Sequence, residues 1–165
     1  PCTYPYDIEV GNGVARAQSK TTHASTLAEE CSHYLNELIT HLFQGRSLDD
    51  ARGILSKQTW SDPLTYALLI ELKGLDAAAI KSSGYVVDTL QAAIWAVQTT
   101  KSFEAAVLKA VNLGDDADTV GAVTGQIAGA MYGYSKVPKA LKSGLVDERK
   151  LYVTSQLLCT PRVNA

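Results

Sequence analysis

The sequence predicts an all-α fold, a compact helical bundle, and three observations carry that prediction. Apolar residues recur at intervals of three and four, most clearly Leu27, Cys31, Tyr34, Leu35, Leu38 and Leu42. No segment alternates apolar and polar residues for long enough to require a strand. Glycine recurs at Gly121, Gly125, Gly129 and Gly133, in a stretch otherwise built from Ala122, Val123, Ile127, Ala128 and Ala130, which sets the glycines along one stripe of a helix.

Residues 1–18 combine prolines and glycines with little apolar periodicity and read as an extended lead-in. Thr26 to Gln44 is a strongly amphipathic helix closed by Gly45. Ser47 is the N-cap of a following helix through Ala51, Ile54 and Leu55, with Asp49 and Asp50 in its first turn. Pro63 starts a helix through Tyr66, Leu69 and Ile70, and Gly74 follows soon after. Thr89 to Thr99 is an apolar helix containing Trp95, and Ser102 opens another that runs to Val111. The last begins near Thr119 and is small-faced on every side, which places it in the middle of the bundle. Each of its glycines costs about 1 kcal/mol relative to alanine, so the stripe calls for close packing.

The chemistry concentrates just before that helix, where Asp115, Asp116, Asp118 and Thr119 fall within five residues of one another. Gly114 lets the chain turn sharply into them. These are hard oxygen donors, suited to Mg²⁺, Mn²⁺ or Ca²⁺ rather than zinc. Helix capping accounts for one or two of the four, because Asp and Thr are favoured at a helix start; it does not ask for a third acid. His23 adjoins the hydroxyls of Thr21 and Thr22, whereas His33 and His41 lie on the amphipathic helix as surface or boundary residues.

Four segments, in order along the chain, resemble the ADP-ribosylglycohydrolases, the family that includes the dinitrogenase-reductase-activating glycohydrolases. They are Gly11-Asn-Gly13, Ser19-Lys-Thr-Thr-His23, Gly84-Tyr-Val-Val-Asp-Thr-Leu-Gln-Ala-Ala-Ile-Trp95, and Asn112-Leu-Gly-Asp-Asp-Ala-Asp-Thr119 with its glycine-rich helix. The resemblance implies an all-helical enzyme with a pair of Mg²⁺ or Mn²⁺ ions that hydrolyses the N- or O-glycosidic bond of ADP-ribose. Carried over by position, Asp116, Asp118 and Thr119 would be metal ligands, and Asp115 would have a supporting role. Asn12, His23, Gly84 and Tyr85 would lie near ADP-ribose, and Glu9, three residues before Asn12, would join Asp116 as a catalytic acid.

The departures bear on activity. Family members are longer, opening with a Gly-Asp-x-x-Gly element and a Thr-Asp-Asp run that supplies the other metal ligands, and neither is present here. The chain therefore resembles the C-terminal part of the family fold, a truncated single domain over residues 1–165 with an incomplete two-metal site. A homodimer or a second chain would complete it; the alternatives are a non-catalytic relative that binds ADP-ribose or a protein, and a fold turned to other chemistry. The expected partner is ADP-ribose or an ADP-ribosylated substrate.

Composition narrows the remaining classes. Net charge is −2, with Lys and Arg scattered, so there is no electrostatic footprint for nucleic acid. Apolar runs stop short of a membrane span and no signal pattern opens the chain. Cys2, Cys31 and Cys159 are widely spaced and read as free thiols in the cytoplasm, or at most one incidental bridge. The initial proline fits either removal of an initiator methionine or a cut from something longer.

Overall fold

The computed structural model describes residues 7–159, and these form eight α-helices with no strand among the described residues: α1 (Ile8–Lys20), α2 (Thr26–Phe43), α3 (Leu48–Leu55), α4 (Val86–Gln98), α5 (Phe103–Val111), α6 (Ala117–Tyr132), α7 (Lys139–Ser143) and α8 (Glu148–Cys159). Asp7, Ser25, Ser47 and Ser102 cap α1, α2, α3 and α5 through their side-chain oxygens, each satisfying an amide that has no partner inside its helix.

Helices α2, α4 and α6 pack on one another as a triangle. Outside it, α1 and α3 lie on α2, and α5 bridges α4 and α6. The centre of the molecule is α4 rather than α6. Every residue from Ala92 to Val97 is buried, including Trp95, whose indole N–H donates to the Leu75 carbonyl at 3.0 Å. Burying side chains of this kind stabilises the fold by about 1.5–3 kcal/mol for each large one. Helix α6 buries Val120, Thr124, Ile127 and Ala128 but exposes Ala122 and Gln126, so it forms a wall of the bundle.

Two of the four glycines in the stripe have a structural cause, and the two causes differ. A Cβ on Gly121 would stand 2.8 Å from Val111 Cγ1, so that glycine lets α5 and α6 close. Gly133, at φ +82°, ends the helix in a conformation that side chains resist. Gly125 has nothing within 4 Å and Gly129 only ordinary contact with Phe103. The period of four is therefore not a single packing motif.

The expected extended lead-in is corrected from residue 8 onward, and its first six residues lie outside the described ones. Two glycines hide α1 from a periodicity reading. Gly11 turns toward α2, where a Cβ would come 3.0 Å from Asn36 Nδ2, and Asn12 is buried beside it. The Pro63–Leu69 segment is a 3₁₀ helix capped by Asp62 rather than an α-helix. It is held partly from outside, since Arg52 Nη2 donates to the Leu68 and Ile70 carbonyls at 3.1 and 2.8 Å. Glu30, though buried, accepts from the Ser61 and Asp62 amides and the Thr65 hydroxyl at 2.7, 3.1 and 2.7 Å, tying α2 to the start of the same segment. Beyond α6 the chain exposes Leu145, Leu151, Val153 and Leu157. Among the described residues no helix is long and apolar enough to cross a membrane.

Candidate active site

The acid loop is built by two consecutive left-handed residues, Gly114 at φ +80° and Asp115 at φ +51°. Asp tolerates this region better than most side chains. The turn is clamped from the other side by Ser82. The Asp116 amide donates to the Ser82 carbonyl at 3.1 Å, and the Ser82 hydroxyl donates to the Gly114 carbonyl at 3.2 Å. Asp116 occupies the N-cap position of α6 yet makes no capping bond with its side chain. Instead it accepts from the Thr119 hydroxyl at 2.8 Å, and its other oxygen faces Gly84, where a Cβ would stand 2.9 Å away. Capping alone does not explain this carboxylate.

Asp118 is fully exposed on the first turn of α6. A hydrogen bond with Asp116, aided by the backbone amides of Thr119 and Asp118 itself, holds its carboxyl below the ordinary 3.8. The two carboxyl groups, with the Thr119 hydroxyl bonded to Asp116, form part of a hard-oxygen set. The donor chemistry fits Mg²⁺ or Mn²⁺, and it supplies about half the six positions of an octahedral ion. Among the described residues no group of three or more His, Cys, Asp or Glu side chains is arranged to hold a metal.

Beside the loop opens a cleft of about 280 Å³ whose lining includes His23, Cys31, Gly84, Thr89, Thr119 and Val123. Thus three of the residues expected from sequence, His23, Gly84 and Thr119, converge on one cavity, with Asp116 against its Gly84 edge. His23 is exposed, its Nδ1 2.9 Å from the Thr22 hydroxyl and its amide donating to the Ser19 carbonyl at 2.8 Å, so it hangs from the last turn of α1. Ser19 lines the cleft too.

Three expected residues stand elsewhere. Glu9 is exposed in the first turn of α1, ten residues from Ser19 and so about 15 Å along the axis. Asn12 is buried between α1 and α2, where its amide donates to Glu37 at 3.0 Å and its carbonyl accepts from Asn36 at 2.8 Å. Tyr85 is 46% exposed at the start of α4, outside the cleft lining.

Sequence reading missed the polar clamp and the cleft floor. Beside the Ser82 clamp, Ser83, Asp88 and Thr89 form a small network: the Ser83 hydroxyl donates to Asp88 at 2.7 Å and the Thr89 hydroxyl to the Ser83 carbonyl at 2.9 Å. The adjacent serines before Gly84 were the only available signal. Cys31 forms part of the floor, and burial, reinforced by the charges of Glu30 and Asp62, pushes its thiol up to about 12. It is free, as expected; Cys2 lies outside the described residues.

The fold is an all-helical bundle with an oxygen-rich loop at the head of a small-residue helix, beside an apolar-walled cleft. The chain belongs to the ADP-ribosylglycohydrolase family, whose profile matches residues 10–162. It is 42% identical over 137 residues to the ADP-ribosylarginine hydrolase Tri1 of Serratia proteamaculans (strain 568), covering 82% of this chain and 37% of that protein. It is 30% identical over 144 residues to the ADP-ribosyl-[dinitrogen reductase] glycohydrolase of Rhodospirillum rubrum, covering 86% of this chain and 45% of that one. A solved chain of an ADP-ribosylglycohydrolase-related protein complex superposes with a TM-score of 0.79 at 29% identity, over 96% of this chain and 55% of the other. The chain thus spans less than half the length of the curated relatives it matches.

Proposed function

We propose that this chain supplies the acid-loop part of an ADP-ribosylglycohydrolase site and takes part in hydrolysing the glycosidic bond between ADP-ribose and an acceptor side chain. The observation that carries the reading is the convergence of His23, Gly84 and Thr119 on one cleft against Asp116. Arginine is the acceptor favoured, since the Serratia relative is named an ADP-ribosylarginine hydrolase.

Asp116, Asp118 and Thr119 would hold the Mg²⁺ or Mn²⁺. When bound, such an ion orients ribose hydroxyls and makes water a better nucleophile near neutral pH. Asp116 is the carboxylate that reaches both Thr119 and the Gly84 edge, so it is assigned to orient the attacking water and accept its proton. Gly84 keeps the wall thin beside it. Leu35, Val86, Leu90 and Val123 give the cleft an apolar side that excludes water from the bound sugar. Glu9 is not assigned a chemical role, because of its distance along α1. The remaining ligands would come from the rest of the family fold, in the same polypeptide, a second chain or a second copy. A free buried thiol fits a cytoplasmic location.

Two carboxylates and one hydroxyl leave an octahedral ion half-ligated, which favours a second reading in which these residues bind ADP-ribose without turnover. Isothermal titration of ADP-ribose with and without Mn²⁺, on wild type, D116A and D118A, tests both. Metal-dependent binding lost in the variants supports the first, metal-independent binding unaffected by them supports the second, and no binding refutes both.

A further inference from the structure

The seam between α1 and α2 contains a buried polar chain that the chemistry above does not use. Arg16 Nη2 lies 2.6 Å from His33 Nδ1, and His33 Nε2 lies 3.0 Å from Glu37 Oε2. The same carboxylate accepts from Asn12 at 3.0 Å and from Gln58 at 2.6 Å, and His41 Nε2 stands 3.5 Å from Oε1. The expectation that His33 and His41 are surface or boundary residues is corrected for His41, which is buried; the His33 side chain retains 14% exposure.

Donor and acceptor chemistry fixes the state of His33. A guanidinium can only donate, so Nδ1 must accept; an ionised carboxylate can only accept, so Nε2 must carry the hydrogen. The neutral Nε2–H tautomer alone satisfies both partners. The ring is steadied from a third side by Trp60, whose centroid is 5.2 Å away in an edge-on arrangement.

This bridge sets where α1 sits. Asn12 and Arg16 are one turn apart on α1, and Ser19, less than one turn further, lines the cleft. His23 hangs from Ser19 by its amide. Any slide or tilt of α1 on α2 therefore moves Ser19 and His23 relative to Gly84 and Thr119, which belong to other elements. We infer that His33 is a positioning residue for the cleft: as the neutral Nε2–H tautomer joining Arg16 to Glu37, it fixes the register of α1 and with it Ser19 and His23. The inference rests on the ADP-ribose reading of the cleft only for its functional consequence.

The test compares H33L, H33Q and R16M in the full chain. The glutamine side chain offers an N–H donor and a carbonyl acceptor and can replace the bridge, leucine can offer neither, and R16M breaks the same bridge from its half-buried end. Nitrogen-15 NMR should show the Nε2–H tautomer in wild type. H33L and R16M should shift the Ser19 and His23 amides and weaken ADP-ribose binding about tenfold or more, while H33Q stays close to wild type in both. If wild type binds no ADP-ribose, the functional reading fails, and the amide shifts alone judge the positioning role. An Nδ1–H tautomer, or unshifted Ser19 and His23 amides in R16M, would overturn it.

Discussion

Replacing Gly84 by alanine separates the acid loop's geometry from the stability of the fold. Gly84 does not adopt a left-handed φ, so its backbone accepts a side chain without strain. The added Cβ would stand 2.9 Å from Asp116 Oδ2 and must be relieved to at least the 3.4 Å of ordinary contact, a retreat of about 0.5 Å. The atom displaced is the tip of a side chain, so the steric cost is about 1 kcal/mol or less. The loss of glycine's freedom in the unfolded chain offsets it by about 0.4–1 kcal/mol. The melting temperature should barely move. Asp116 is different: ligands to a hard cation are held within about 0.2 Å, so a 0.5 Å retreat exceeds that tolerance. Losses of about 10- to 100-fold in metal affinity follow from disturbances of this kind. Mn²⁺ titration followed by electron paramagnetic resonance reads the change directly. G13A is the control, because Gly13 is exposed with nothing within 4 Å of its Cβ position. Wild-type Mn²⁺ affinity in G84A would refute the assignment of Asp116 as a ligand.

Other perturbations probe the framework. G121A pushes a Cβ to 2.8 Å from Val111 and should destabilise by about 1–3 kcal/mol, whereas G125A meets open space and should stabilise by up to about 1 kcal/mol; thermal melts must rank them in that order. Glu30 and Glu37 are both held below the ordinary 4.5, burial opposing ionisation but the donors around each outweighing it, led by Thr65 at Glu30 and His33 at Glu37. Below 4.5 the unfolded chain binds the extra protons, so this stability is full above that value and lost as pH falls through the lower folded values. E30Q should flatten the acid limb while lowering stability near neutrality by about 1–3 kcal/mol, and an unchanged acid midpoint would sink the Glu30 account. With Cys2 and Cys159 replaced by serine, Cys31 should resist a disulfide reagent at pH 8 and react only as the chain unfolds, given a thiol pushed up to about 12.

The helices that announce themselves in sequence are those whose apolar face points at one neighbour. Leu27 to Leu42 on α2 and Ser47 at the head of α3 were legible for that reason. Helix α1 was not, because the face it turns to α2 is built from Gly11, Asn12 and Ser19, small and polar residues that a hydrophobic period passes over. The acid loop was legible as chemistry because four oxygen donors crowd so few positions. Its support was not: Ser82 reaches Gly114 across 32 residues, and nothing in local sequence marks that bond. The same holds for Glu37, which reads as one more charge on an amphipathic helix until α1 and Gln58 close over it.

The cleft is assembled from two parts held by unlike means. Ser19, His23 and Cys31 belong to α1, α2 and their connection, whose polar seam is buried and specific in its donors and acceptors. Gly84, Thr119 and Val123 belong to the loops and helices around α4 and α6, joined through an apolar core and the Ser82 clamp. Hydrogen bonds of 2.6–3.0 Å with fixed donors and acceptors leave the α1–α2 seam little freedom to slide. Polar chemistry at the α1–α2 seam therefore fixes the histidine side of the cleft, while the close approach of the Asp116 carboxylate to Gly84 marks the carboxylate side. Asn12 belongs to that seam, where its side chain bonds Glu37 and Asn36, so it bears on the cleft through the helix it anchors.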